Sequence, residues 1–595
     1  METPSNGQGN KWVIVFLIYA DFTTSEKLPM IDDMKIMVNS MLGDIITTPI
    51  NNNQTRMFVI LNSIKYVFDD HHTQIENRAA FFTVRCQANG KQNHISECHL
   101  VGPDKKGNDT LILQKSDQLA YVLEQTGVQD DEEVFLITWD HGSAFGIFRK
   151  QTPTLSKSVV RKEIDQGSFQ YPFIELFWKA IKKQDKKTDN FLGRKPIENA
   201  FTTIQIGHSL VKMKNSSENI KRLRFFANKE NEFIYDDNAG RIRFFNQNND
   251  RGDLMNTKTH SAFSNKKIPI LSDGVLKNEI IVEPQAAEIL TNRELDEALK
   301  KWLNGKKVGV LLMSNCWMMN LHTMYALKDS VRCLVAPQGN IDIPGYNLKD
   351  ILAEITTSNK TFGPPELAVT CVKTFDNAYS RAKAVMNDRS EPDVLELFKI
   401  FAVDLSKTTF DKNTLTLQID LLKDIINLLI KQFVEFSQRA EKTEMKYFLK
   451  YIRAACFDFT GGIVMMVDVV NWIKSINSAN QQFDKTLKKL TGVFSPSIAE
   501  FESSISDNSI VLDSSSGKDI YSPQDNQADF AVIELPPTGY SIFFPIEDCS
   551  LVETSSTYIN VKANVLSDQL LKDFPEWRRF LNFIDPKIDK IFINR

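Results

Sequence analysis

The sequence predicts an α/β fold, a mostly parallel sheet with flanking helices, and three observations predict it. Apolar runs of strand length alternate with amphipathic stretches of helical period. Several runs are apolar at every position, as strands covered on both faces must be. The helical stretches also carry start and stop signals.

In chain order, "KWVIVFLIYA" reads as the first strand and "MIDDMKIMVNSML" as the helix after it. "TRMFVILNSI" is the next strand, "SDQLAYVLEQTG" a helix and "EVFLITWD" a strand. In "LTNRELDEALKKWLNG", Thr291 and Glu294 have the spacing of a capping box, and Gly305 follows the apolar period as a stop. "KVGVLLMSN" and "RCLVAP" then return to strand character. These elements place one domain over residues 1–385.

Between about 150 and 284 the alternation fails. "KKQDKK", "MKNSSENIKRLR" and "NQNNDRGD" are charged, Asn-rich and turn-prone, which predicts an insertion carried on the sheet scaffold. Residues 386–480 read as a helical region, on the period of "LLKDIINLLIKQFVEFSQRA". Residues 481–595 read as a β-rich C-terminal region packing on the first domain, from the short apolar pieces and turn residues of "NSIVLDSSSGKDIYSPQDNQADFAVIELPPTGYSIFFPIE".

Of the 595 residues, 42% are apolar and 25% charged, so the chain can bury large cores and is not disordered as a whole. A net charge of −4 and a pI near 6.2 give no general attraction to phosphate backbones, which excludes nucleic acid as the default partner. The apolar run at Trp12–Ala20 is shorter than a membrane span and no basic segment precedes it, so neither membrane insertion nor a secretion signal is expected. Seven cysteines, odd in number and without CxxC spacing, fit a reducing compartment, and the cytoplasm is the expected location. No metal site is expected: His71 and His72 beside Asp69 and Asp70 read as a solvated loop.

Functional groups of an open parallel sheet collect beyond the carboxyl ends of its strands. Two such ends carry suitable side chains: "EVFLITWDHG" reaches His141 and Gly142, and "VGVLLMSNC" reaches Cys316. They lie far apart in the chain, so only the fold can join them. A thiol near an imidazole can reach the thiolate at working pH, the imidazole can protonate a leaving amine, and a glycine can aim its main-chain N–H at a developing oxyanion. The plain alternative is a buried cysteine as core filler and a His-Gly turn.

The order "apolar block, His-Gly" then "apolar block, small or amide residue, Cys" resembles the caspase-like clan of cysteine peptidases, and in detail its clostripain family. "WVIVFLIYAD", "WDHGSAFG", "LTNRELDEALKKW" and "CWMMNLHTMYALKDSVRCLVAPQGNIDIPGYN" carry the resemblance, followed by "FAVDLSK", "MVDVVNWIKSI", "GYSIFFP" and "WRRFLNFI". It implies a caspase-like catalytic domain, a protein or peptide substrate, Cys316 as nucleophile, His141 as acid/base and Gly142 in the oxyanion hole. It also implies pocket positions: Ser314 stands where relatives that cut after Arg or Lys carry an aspartate, and Gln338 stands among positions that are often acidic. An unpaired guanidinium is costly to bury, so the P1 preference is expected to be neutral or apolar unless Asp342 turns into the pocket.

No organic cofactor is implied. Calcium is known in the family, but no EF-hand-like run occurs here. The insertion lies between the catalytic residues, where many relatives are cut, and Lys182–Lys187 and Lys221–Arg224 are candidate processing sites. The expected function is a cytoplasmic endopeptidase of limited specificity, self-processing, of the switch type used in defence or cell death. The alternative is a catalytically silent, protease-like scaffold that binds protein partners.

Overall fold

The structure is a computed structural model. It describes residues 11–19, 28–51, 53–68, 73–101, 113–150, 201–206, 209–214, 233–236, 241–244, 288–339, 341, 345–357, 362–386, 399–435, 466–478, 485–515, 537–545 and 561–588, with isolated positions between them. Asp342, His71, His72 and both basic stretches of the insertion lie outside the described residues.

Nine strands form one sheet. In chain order they are β1 (Lys11–Ile18), β2 (Thr55–Phe68), β3 (Thr73–Cys86), β4 (Asn93–Leu100), β5 (Glu132–Trp139), β12 (Val308–Ser314), β13 (Val331–Pro337), β14 (Ile400–Asp404) and β18 (Val511–Ser514). The numbers between belong to short pairs outside the sheet: β6 (Gly146–Lys150) with β11 (Glu288–Thr291), β7 (Phe201–Ile206) with β8 (Ser209–Lys214), β9 (Phe233–Asp236) with β10 (Arg241–Phe244), β15 (Thr408–Thr409) with β16 (Lys412–Asn413), and β17 (Met466–Asp468) with β19 (Ser541–Phe543).

The spatial order is β18-β14-β13-β12-β5-β1-β2-β3-β4. From β13 to β2 the strands are parallel, and two antiparallel strands flank this centre on each side. The parallel centre is as expected from strands apolar at every position, and β5 and β12 are buried along almost their whole length.

Helices cover both faces. α1 (Leu28–Thr47), α5 (Leu348–Thr357) and α6 (Pro364–Met386) close one face. α2 (Ser116–Glu124), α3 (Asn292–Trp302) and α4 (Leu321–Leu327) close the other, overlaid by α7 (Thr414–Glu435), α8 (Val469–Ser478), α9 (Lys485–Asp507), α10 (Val561–Ser567), α11 (Gln569–Asp573) and α12 (Pro575–Ile584). α3 starts on the expected capping box: Glu294 N donates to Thr291 Oγ1, Thr291 N donates to Glu294 Oε2, and Gly305 follows with φ +85°. In α7 the buried positions Leu415, Ile419, Leu422, Ile426, Leu429 and Phe433 keep the helical period that marked it in the sequence.

Two expectations about organisation are corrected. The catalytic sheet does not end near residue 385: β14 and β18 complete it, and one apolar cluster runs from Val13 to Ile588, so 386–480 is not a separate helical region. Residues 481–595, expected to be β-rich, are mostly helical where described, with α9 to α12 outweighing the short β18 and β19. α9 runs through Pro496 without ending there. The C-terminal layer is knitted together by Trp472, Phe544, Trp577 and Phe580, whose ring centroids stand 5.2–6.1 Å apart, and it belongs to the same apolar cluster as the sheet.

Candidate active site

β5 and β12 are hydrogen-bonded neighbours, and their last rung pairs Trp139 with Ser314. His141 and Cys316 each hold the second position past that rung. Both are partly exposed. Gly142 presses its Cα against the Cys316 main chain: a Cβ there would run into the Cys316 carbonyl oxygen and stand 2.8 Å from the Cys316 nitrogen. The structure thus brings His141, Gly142 and Cys316 together.

The loop after His141 is held in a strained form. Ala144 has φ +64°, costly for a residue with a Cβ, and its carbonyl accepts from Asn320 Nδ2 at 3.1 Å, Asn292 Nδ2 at 3.2 Å and Thr323 Oγ1 at 3.4 Å. The Ser143 amide and hydroxyl both donate to Gly146 O, and Asn292 N donates to Phe145 O. On the cysteine side Trp317 also has positive φ, +64°, and its N–H donates to Gly339 O at 2.7 Å. Asn320 Nδ2 donates to Trp317 O at 2.6 Å, and Asn320 Oδ1 accepts from Thr323 N to cap α4. Asn292, Asn320 and Thr323 therefore lock the histidine loop to the cysteine loop.

At the thiol, Ile341 N donates to Cys316 Sγ at 3.5 Å, and Sγ lies 3.8 Å from Ile341 O. Ser314 adjoins Gly345: a Cβ at 345 would lie 3.1 Å from Ser314 Oγ and 4.0 Å from Ile341 Cδ1. These neighbours carry no charge.

Gln338 does not serve a pocket. It is buried, its Nε2 donates to Asp468 Oδ2 at 3.0 Å and to Ser541 Oγ at 2.6 Å, and its Oε1 accepts from Gly539 N at 2.8 Å. It ties the end of β13 to β17 and β19, and it is withdrawn as a substrate-binding residue. His322, buried in α4, is also fully committed. Phe543 N donates to its Nε2 at 3.0 Å, which leaves the proton on Nδ1 to reach Asp568 Oδ1 at 2.9 Å. The other described core thiols are unsuited to nucleophilic work: burial pushes Cys98 up to about 12 and raises Cys333 and Cys371 as well.

Calcium finds no cage among the described residues, which gather no group of three or more His, Cys, Asp or Glu side chains. No helix among them is long and apolar enough to cross a membrane.

The sequence reading missed Asn292, Asn315, Asn320 and Thr323, whose roles depend on which strand ends adjoin. One signal was available: Asn320 precedes an apolar helical stretch, as an N-cap does.

Residues 283–573 match the family model described as the clostripain family, peptidase C11. The match contains Cys316 and lies downstream of His141. No curated protein matches. Among solved structures, the chain is similar to "iotapain", a secreted C11 cysteine protease from Bacteroides thetaiotaomicron, at 11% identity and TM-score 0.42, covering 93% of this chain and 99% of that one. An inactive zymogen C11 protease from Parabacteroides distasonis aligns at 8% identity and TM-score 0.37, over 95% of this chain and 99% of that one. A B. fragilis cysteine protease aligns at 13% identity and TM-score 0.25, over 49% of this chain and 94% of that one. At these TM-scores none of the three bears on the assignment of the site.

Proposed function

We propose that this chain is a cysteine endopeptidase, a reading supported by the match of residues 283–573 to the clostripain family model, and that its working pair is Cys316 and His141. What supports the pair is that each lies two residues beyond the last rung of adjoining strands, with Gly142 packed on the Cys316 main chain.

The thiolate of Cys316 attacks the scissile carbonyl, forming a C–S bond and an oxyanion that the Gly142 and Cys316 amides receive. As the C–N bond breaks, the His141 imidazolium gives its proton to the departing amine. The neutral imidazole then takes a proton from water, whose oxygen attacks the thioester, and the acid product leaves with the thiol restored. Substrates are proteins or peptides. The cytoplasmic setting belongs to the same proposal and is supported by an odd cysteine count without CxxC spacing.

The P1 side chain is neutral or apolar. Ser314, Gly345 and Ile341 adjoin one another without charge and offer nothing to balance a guanidinium.

A thiol-reactive peptide probe tests the pair: it should label wild type and lose its label in Cys316→Ala. Full proteolysis by Cys316→Ala would refute the assignment, and absence of wild-type labelling under every activating condition would favour a silent scaffold. Cleavage-site profiling tests the pocket. Neutral residues should dominate P1, and Ser314→Asp should raise kcat/KM for Arg or Lys substrates by about 10- to 100-fold; a strict wild-type requirement for Arg or Lys would refute the pocket reading.

A further inference from the structure

Asn315 sits where the ladder between the two active strands stops. β12 and β5 are paired up to Ser314 opposite Trp139, where the regular ladder ends. Asn315 is fully buried, and its amide reaches across to the neighbouring chain: Nδ2 donates to Asp140 O at 2.9 Å and stands 3.4 Å from His141 O, while Oδ1 accepts the Thr138 hydroxyl at 2.6 Å. One side chain, next in sequence to the thiol, thus grips the end of the histidine strand at Thr138, Asp140 and His141.

We propose that Asn315 is a positioning residue whose side chain replaces the missing rung, and that Thr138 holds its amide the right way round. This rests on the cysteine-peptidase reading above. Only an amide serves here, because the site presents both a hydroxyl and two carbonyl oxygens. An alanine would bind neither, and an aspartate would turn a carboxylate toward two acceptors.

The rung matters to the chemistry through distance. An imidazolium stabilises a thiolate by an attraction that falls as the two separate, and the His141 main chain is anchored to the cysteine strand by this amide. Without it, Asp140 and His141 lose this tie to the cysteine strand and can shift outward. The thiol then titrates closer to its ordinary range, and less thiolate exists at neutral pH.

The full-length chain tests this with two readouts: the kcat and KM for a peptide chosen by profiling, and the pH dependence of iodoacetamide alkylation at Cys316, followed by mass spectrometry of that residue. Asn315→Ala should lower kcat about a hundredfold with KM changed less than about twofold. It should also move the alkylation midpoint upward, toward the ordinary thiol value of about 8.5.

Thr138→Val should shift both readouts the same way by less, and Thr138→Ser, which keeps the hydroxyl, should restore them. A merely stabilising role would lower the melting temperature and leave the midpoint in place. Wild-type kcat and midpoint in both Asn315→Ala and Thr138→Val would overturn the proposal, and Thr138→Val decides alone where Asn315→Ala does not fold. Failure of the peptidase reading is distinguishable, since it would appear in wild type as hydrolysis that does not depend on Cys316.

Discussion

A side chain at position 142 has nowhere to go, because its Cβ would collide with the main chain of Cys316. Gly142→Ala should therefore force the histidine and cysteine loops apart. A misplacement of about 1 Å can cost about a hundredfold in rate, so peptide hydrolysis should fall at least that far, while circular dichroism reports an intact fold. Near-normal hydrolysis by this variant would mean that the two loops are not in the contact described. Gln338 gives the opposite kind of prediction. Gln338→Leu leaves the buried Gly539 N–H without its acceptor and the Ser541 hydroxyl without its donor and should cost about 1–3 kcal/mol in urea unfolding. P1 preference should stay as it was, whereas a pocket residue would change preference and leave stability alone. His141 and Cys316 stood out in the sequence because each follows an apolar strand, a local pattern. Asn315 was not, since its value comes from the registry of two strands that are distant in the chain and meet only in the sheet.

The elements legible in the sequence were those whose signals are local. α3 carries both halves of its capping box and a following glycine, and α7 keeps an unbroken apolar period. The parallel centre was visible for the same reason, as runs apolar at every position. Its flanks were not: β3 opens with "TQIENR", whose charges hide a strand, and β14 is recognisable in space only by its antiparallel pairing with β13. α9, in the stretch expected to be β-rich, carries a proline in its interior, which weakens its helical signal. The contact between α4 and the C-terminal layer yields a prediction at this scale. His322→Leu removes the acceptor for Phe543 N and the partner of Asp568 Oδ1. It should destabilise the chain by about 2–5 kcal/mol, measured by denaturant unfolding. Native stability in this variant would show that the layer is held by its aromatic packing alone.

Over the whole molecule, buried acids make stability depend on alkaline pH. The Cys98 thiol is raised from 9.0 to about 12 by burial, and Cys333, Cys371 and Tyr540 are raised for the same reason. A raised acid keeps its proton in the folded chain after the unfolded chain has lost it. Its contribution is fully present below the unfolded value and is lost as pH climbs toward the folded one. The urea midpoint should therefore fall from pH 9 toward pH 12, and Cys98→Ala should flatten that decline; a midpoint independent of alkaline pH would contradict the burial of these groups.

The short ribbon of β6 and β11 has a consequence for engineering. Lys150 stands opposite Glu288, and Gly146 lies so close under Leu290 that any Cβ there would strike the Leu290 carbonyl. The chain thus leaves and rejoins the scaffold through a single doorway, about 5 Å wide, the spacing of one antiparallel rung. Closing a loop across such a gap costs little more for a long segment than for a short one. A tight hairpin turn grafted from Lys150 to Glu288 should accordingly leave the imidazole and the sulfur where they are, at the loss of the contacts that β7 and β8 make with α6 and α1.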